Sequence, residues 1–263
     1  MGSRKELEAE FHDAREANRA TLSEEEFLKK YPNKRFYAIA RKIRAYEDRL
    51  LRSKAAGGKI LDYCCGPGET SLKLAQMGYA SVVGIDISPK EIESARARLN
   101  KHGFDETSEF YVMDAENTDF DDDTFDVVVC NGVLHHLDMD AALPELARVL
   151  KPGGKIVAME ALGYNPIINL YRKLTPGLRT AWETDHILTL TELGKAKKFF
   201  NTVSVRYFYL TTIAAIPFAN TAFFKPVMWV VEFIDALLMR LPLIQLLAWQ
   251  MVFTLENPKP REE

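Results

Sequence analysis

The spacing of apolar positions changes twice along this chain. From residue 4 to 30 charged residues dominate, with scattered apolar ones, which predicts one or two short surface helices. Ser23 followed by Glu26 forms a capping-box pattern just ahead of Phe27 and Leu28. Pro32 breaks that run, and from 36 to 51 Ile39, Ile43, Tyr46 and Leu50 recur near helical spacing until Gly57-Gly58. Short apolar runs follow at 59–63, 81–87, 108–112, 125–130 and 155–160, separated by helical stretches near 69–78, 89–102 and 140–150. Strands alternating with helices predict a parallel sheet covered on both faces.

Beyond residue 160 the pattern changes again. Pro166, Pro176 and Gly177 mark 161–188 as an ordered insertion or lid, 191–200 reads as a helix and 203–210 as a strand. A very apolar stretch, 213–247, precedes a last strand near 249–255. Lys225, Pro226, Glu232, Asp235, Arg240 and Pro242 interrupt it before the run of about 18 clean apolar residues that a membrane span needs. Two readings stand: a helical pair packed on the sheet, or an apolar tunnel or membrane-facing patch lined by Phe218, Phe223, Phe224, Trp229 and Phe233.

Composition narrows the function classes. With 47% hydrophobic residues among 263, the chain can bury a full core. A net charge of −3, without a basic stripe, argues against nucleic acid as partner. Three cysteines, Cys64, Cys65 and Cys130, suit neither a disulfide scaffold nor a zinc motif, so a reducing, cytoplasmic setting and no metal are expected. The charged start (Arg4, Lys5, Glu6, Glu8, Glu10) argues against a secretory signal.

Five segments carry chemistry. Residues 60–70 run from an apolar strand through Cys64-Cys65-Gly66-Pro67-Gly68 into a helix, a turn that brings backbone close to a ligand. The next strand ends in Asp86, about 20 residues on, where an acid accepts hydrogen bonds from two ribose hydroxyls. As a helix cap Asp86 is the poorer candidate, because Ser88 stands directly before Pro89. Asp114 and Ala115 follow the third strand, Asn131 to His136 the fourth, and a Lys-Pro-Gly-Gly turn precedes the fifth. A nicotinamide-dependent dehydrogenase fits less well, since the full G-x-G-x-x-G is missing.

In this order the segments resemble the class I S-adenosylmethionine-dependent methyltransferases, in the branch that methylates small molecules and quinone-like lipids. The resemblance covers about residues 57–160 and implies an α/β, Rossmann-like seven-stranded sheet, mostly parallel, with an antiparallel last strand and S-adenosylmethionine as cofactor. It implies an N-terminal helical lid (1–56), the cofactor-binding core (57–160) and a third part (161–263) with a substrate lid, an apolar insertion and the last two strands. Carried over by position, Asp62, Gly66 and Gly68 line the methionine part, Asp86 holds the ribose and Ile87 packs on the adenine. Asp114 and Ala115 edge its amino group, and Asn131 and Val133 lie near the sulfonium. Tyr37, with Tyr31 and Phe36, stands where family members often place an aromatic lid, although ordinary helix packing serves equally.

Cys64 departs from the family's usual glycine; a small buried residue is preferred to a nucleophile there. If the acceptor needs a base, His135, His136 and His186 are the candidates, the last beside Asp185. The expected reaction is in-line methyl transfer to a small, lipophilic molecule, with peripheral membrane contact through 213–247 as an option. A non-methylating cofactor-binding enzyme or module is the alternative.

Overall fold

The computed structural model describes residues 3–180, 182–183 and 186–260. Seven strands form one sheet: β1 (Lys59–Tyr63), β2 (Ser81–Asp86), β3 (Ser108–Val112), β4 (Phe125–Asn131), β5 (Leu150–Ala161), β6 (Phe200–Phe208) and β7 (Gln250–Pro258). Their order is β3-β2-β1-β4-β5-β7-β6. β1 to β5 are parallel, and β7 lies antiparallel between β5 and β6. The strand order reverses between β1 and β4, the place where open parallel sheets bind ligands beyond their carboxyl ends.

The strand sequences explain why the sheet has two covered faces. Successive side chains point to opposite sides, and the central strands place apolar residues on both, as in Ile60-Leu61, Val82-Val83 and Val127-Val128. Ile60, Val82, Val127 and Val129 enter one core with Leu74, Ile92 and Leu99. Leu61, Val83, Val128 and Ile156 enter the other with Leu143, Leu146 and Leu193. Helices α3 (Arg41–Arg52), α4 (Glu69–Gln76) and α5 (Pro89–Lys101) cover the first face. Helices α6 (Met139–Val149) and α8 (Leu190–Lys195) cover the second.

Several boundaries differ from the expectation. The charged start is an 18-residue helix, α1 (Arg4–Thr21), closed by a Ser3/Glu6 capping box, followed by α2 (Glu24–Lys30) with the Ser23/Glu26 box. Residues 36–51 split into a 3₁₀ turn, Pro32–Ile39, and α3, since no side chain caps the α3 start. β5 begins five residues early, where Leu150 pairs with Phe125 through a register shift that accommodates the Pro-Gly-Gly turn. The helix expected over 191–200 ends at Lys195, continues as a 3₁₀ turn to Lys198, and gives way to β6 at Phe200.

The lid segment carries α7 (Pro166–Leu174), whose Asn165 side chain accepts from the amides of Ile167 and Ile168. The apolar insertion is a 3₁₀ turn (Thr212–Phe218), α9 (Phe224–Leu238) and a short turn (Ile244–Leu247). Its charges are anchors. Asp235 accepts from the amides of Leu210, Thr211 and Thr212 at 3.1, 2.6 and 3.2 Å, and Glu232 pairs with Arg41 and Lys42 at 2.8 and 3.2 Å. Among the described residues no helix is long and apolar enough to cross a membrane.

The β1–α4 turn sets a testable contrast. Cys64 and Gly68 both have left-handed backbones, at φ 58° and 76°, and a Cβ on Gly68 would stand 2.9 Å from Ala95. Cys64→Gly relieves roughly 1–2 kcal/mol of left-handed strain against about 0.5–1 kcal/mol of added chain entropy, so its urea midpoint should hold or rise slightly. Gly68→Ala adds that strain and overpacks α5, and should lose about 2–4 kcal/mol. A lower midpoint for Cys64→Gly than for Gly68→Ala would show that thiol packing, not backbone conformation, sets the turn's stability.

Candidate active site

The parallel strands deliver an acid from each of several carboxyl ends to one cavity of about 240 Å³. From β1, Asp62 is buried and accepts from Ser71 Oγ at 2.6 Å. Burial, with Glu47 and Asp86 nearby, pushes its carboxyl up to about 7 despite the Ser71 bond. From β2, Asp86 accepts from the amides of Gly66 (3.0 Å) and Ser88 (2.9 Å), so it braces the glycine turn against α5. Ser88 Oγ accepts from Glu91 N at 3.1 Å and is the α5 cap, as the sequence indicated. Burial and the Glu91 charge raise Asp86. Asp114 and Ala115 lie past β3; the Tyr63 hydroxyl donates to the Ala115 carbonyl.

Helix α1 closes this cavity, within the N-terminal segment expected as a lid, through charged contacts that its sequence did not reveal. Residues 4, 5, 8, 12, 15 and 19 fall on one helical stripe, and the cations among them meet the rim acids. Arg4 pairs with Glu116, Lys5 with Asp114 and with Glu116 (2.9 Å), Arg15 with Glu91 (2.9 Å), His12 with Glu91 (3.5 Å) and Arg19 with Glu69. Asp13 accepts from Ser88 Oγ, and Glu8 from His136 Nδ1 at 3.1 Å.

A second cavity of about 210 Å³ shares Arg15, Tyr37, Asn131, Gly132 and His136 with the first. Its walls are aromatic (Phe11, Phe36, Tyr171, Trp249), with Arg172, Arg179, Glu183 and His135 among its polar members. His135 Nδ1 lies 2.7 Å from Glu160 Oε2, while Glu160 Oε1 accepts from the amides of Val133 and Leu134 at 2.8 Å each. Burial opposes charge on His135, but Glu160's field and hydrogen bond prevail and raise its pKa. His136 is lowered, by burial and by His135, against the pull of Glu8.

Of the residues singled out in the sequence, Asp62, Gly66, Asp86, Ile87, Asp114, Ala115, Asn131, Val133, Tyr37 and His136 line the first cavity. Gly68 does not; its place against Ala95 makes it a packing glycine. His135 lines only the second cavity. His186 lines neither: it is exposed and stacks on Trp182 at 3.6 Å between ring centroids, and its neighbour Asp185 lies outside the described residues. The thiols of Cys64, Cys65 and Cys130 are driven well above their ordinary range by desolvation, which argues against a nucleophile; Cys65 and Cys130 are buried, whereas Cys64, in the wall of the first cavity, is half-buried. Among the described residues, Phe218, Phe223, Phe224, Trp229 and Phe233 line neither of these two cavities.

The sequence reading missed Arg15, Glu91, Glu160 and Arg172. Glu160 could have been found, because it lies one residue from the end of an apolar strand, much as Asp86 ends β2; the others sit on helices with no local signal. Among the described residues, Glu8, His12 and His136, and likewise His135, His136 and Glu183, bring together atoms able to ligate a metal, a grouping invisible in the spacing. Glu8 already accepts hydrogen bonds from His136 and Thr180.

The residues around the first cavity fit a nucleoside cofactor. Two buried oxygens there, Asn131 Oδ1 and Glu91 Oε2, have no protein donor, and Glu91 Oε2 would meet a Cβ on Gly66 at 3.3 Å. Comparison with known proteins agrees. The methyltransferase domain family matches residues 60–154. Over 137 residues the chain is 31% identical to methyltransferase GfsG of Streptomyces halstedii, covering 51% of this chain and 49% of that one. The matched stretch thus spans about half of that relative's length. A ubiquinone/menaquinone biosynthesis C-methyltransferase UbiE of Geobacter sp. (strain M21) is 32% identical over 181 residues, 68% of this chain and 71% of the relative. The chain belongs to the class I S-adenosylmethionine-dependent methyltransferases. The [4+2]-cyclase SpnF has a similar fold (TM-score 0.54, 19% identity, 82% of this chain and 81% of that one), which shows the fold alone.

The latch between α1 and the rim depends on pH. Burial opposes charge on Glu8, Glu91 and Glu116, yet bonds from His136, His12 and Arg4 respectively prevail, and all three carboxyls titrate below their ordinary range. Depressed folded values mean that this stabilisation is complete above the ordinary glutamate value of about 4.3 and is lost as pH falls through the lowered ones. Hydrogen exchange, corrected for intrinsic rates, should find α1 protected at about pH 5 and freed below about pH 4 while β4 stays protected. Equal α1 protection at both would show that packing alone docks the helix.

Proposed function

We propose that this chain methylates a small molecule held in the second cavity, with His135 as general base and Glu160 as its positioning residue. The observation that carries the reading is the buried Glu160–His135 pair in the wall of a cavity that adjoins the one lined by Asp62, Gly66 and Asp86. Asp86 holds the cofactor's ribose, Ile87, Asp114 and Ala115 its adenine, and Asp62 and Gly66 its methionine end. Asn131 and Val133 form the floor, and Tyr37 and α1 close the top. When bound, S-adenosylmethionine supplies an electrophilic methyl group whose departure leaves a neutral thioether.

The chain's own work is positioning and proton transfer. Glu160 accepts the Nδ1 proton of neutral His135, which leaves Nε2 as an acceptor. Nε2 takes the acceptor molecule's ionisable proton as the new bond to methyl forms, and later returns it to water. The acidic limb of the rate profile therefore lies above the ordinary histidine value of about 6.5, because only unprotonated His135 works and its pKa is raised. In Glu160→Gln the amide would donate to Nδ1 and turn Nε2 into a donor. Its turnover, read as S-adenosylhomocysteine formed with a hydroxylated aromatic acceptor, should fall about 10²-fold or more, with S-adenosylhomocysteine affinity by calorimetry unchanged. Full activity in this variant would remove His135 from the chemistry; no methyl transfer by wild type to any acceptor in a broad panel would favour the non-methylating alternative.

The same reading makes the acceptor lipophilic and delivered from a membrane surface in the cytoplasm, where three unpaired cysteines are at home. Its support is the exposed apolar face of the insertion: Trp229 is 73% exposed, Leu243 81% and Phe233 59%. The Asn165 side chain donates to the Leu247 carbonyl at 2.6 Å, which joins α7, with exposed Ile167 and Leu174, to the end of the insertion. Co-sedimentation with phosphatidylglycerol vesicles should be strong for wild type and clearly weaker for Trp229→Ser/Phe233→Ser. Equal sedimentation, or none for wild type, would refute the contact.

A further inference from the structure

Among the described residues, one charge in the second cavity has no carboxylate paired with it. Arg172, in the last turn of α7, is 7% exposed, and its Nη1 donates to Asn169 Oδ1 at 2.8 Å. Among the described residues that neutral amide is the sole acceptor for its side chain, and no ion pair includes it. The neighbouring cations are committed elsewhere. Arg15 is paired with Glu91 at 2.9 Å. Arg179 donates from Nη1 to the carbonyls of Arg172 and Thr175, and its Nε lies 3.5 Å from Glu183. Burial, and then Arg179, lower the Arg172 guanidinium to about 10, with Glu183 too weak to offset them.

A buried guanidinium with unused N–H groups is costly unless something supplies an anion. The fork of an arginine matches a carboxylate or phosphate with two parallel hydrogen bonds. Aromatic side chains, Phe36, Tyr171 and Trp249, wall the same cavity, and Phe36 packs on both others at 5.4 and 5.1 Å between ring centroids. From this juxtaposition we propose that the acceptor is a flat, largely apolar acid whose carboxylate or phosphate is bound by Arg172 while its reacting group faces His135. Arg172 is thus the specificity-determining residue of the acceptor site. The inference rests on the second cavity being that site, as proposed above.

The test reads binding and turnover separately. Naphthoate, naphthyl phosphate and neutral naphthamide are titrated by fluorescence into the full chain with S-adenosylhomocysteine added. The expected result is at least one anion binding about tenfold or more tighter than the amide; which of the two prevails identifies the anion. Arg172→Met should abolish the preference and Arg172→Lys retain part of it, with S-adenosylhomocysteine affinity unchanged in both. Equal binding of acid and amide by wild type, no binding of either acid, or a preference that survives in Arg172→Met would overturn the proposal. A clear acid preference with no methyl transfer to any acceptor would leave the anion subsite standing and sink the catalytic reading instead.

Discussion

Crowded negative charge at one edge of the sheet is the constraint around which the rest is arranged. A parallel sheet sends every strand's carboxyl end to the same side, and here acids stand at or beside the ends of β1, β2, β3 and β5: Asp62, Asp86, Asp114 with Glu116, and Glu160. Each needs hydrogen bonds or a cation, since an unpaired buried carboxylate is costly. The turn amides of Gly66, Val133 and Leu134 answer some of that demand, and the cations of α1 answer much of the remainder. An N-terminal helix with a modest apolar face thereby docks firmly over a cavity. The positive sulfonium of the cofactor suits the same edge.

The two adjacent histidines show how one short turn serves two compartments. His135 and His136 lie in a single 3₁₀ turn after β4, with ring centroids 4.3 Å apart. Each is held by a glutamate from a different element: His135 by Glu160 of β5, His136 by Glu8 of α1. Because the two environments oppose each other, His135 is raised and His136 lowered. Environments that push neighbouring titratable groups apart are how a site separates a proton-handling role from a structural one.

The apolar insertion follows a similar logic with the roles reversed. Glu232 and Asp235, the charges that break its hydropathy, fix α9 to α3 and to the end of β6. Its aromatic residues Trp229 and Phe233 are consequently turned outward, away from both cavities. Of the arrangements its composition offers, a packed helical pair, a tunnel or a membrane-facing patch, the segment presents these aromatic residues on an exterior face, while the walls of the second cavity come from α1, the Pro32–Ile39 turn, α7 and β7.

Strand periodicity and the order of five short motifs were enough to determine the fold, the family and most of the first cavity. Those features are local: a strand, a turn of small residues and a helix cap are each set by neighbours in sequence, so Asp62, Gly66, Asp86 and Asn131 were legible. Gly68 was legible as a turn residue, but its close approach to Ala95 was not. The second cavity was barely legible, because it joins Phe11, Phe36, His135, Arg172 and Trp249 from five separate parts of the chain. Only tertiary packing decided that Glu160 would hold His135, and which α1 side chains would meet the acids at the rim. Only packing left Arg172 buried with no acid paired to it among the described residues: pairing and desolvation of charge depend on distances in space, which no spacing along the chain encodes.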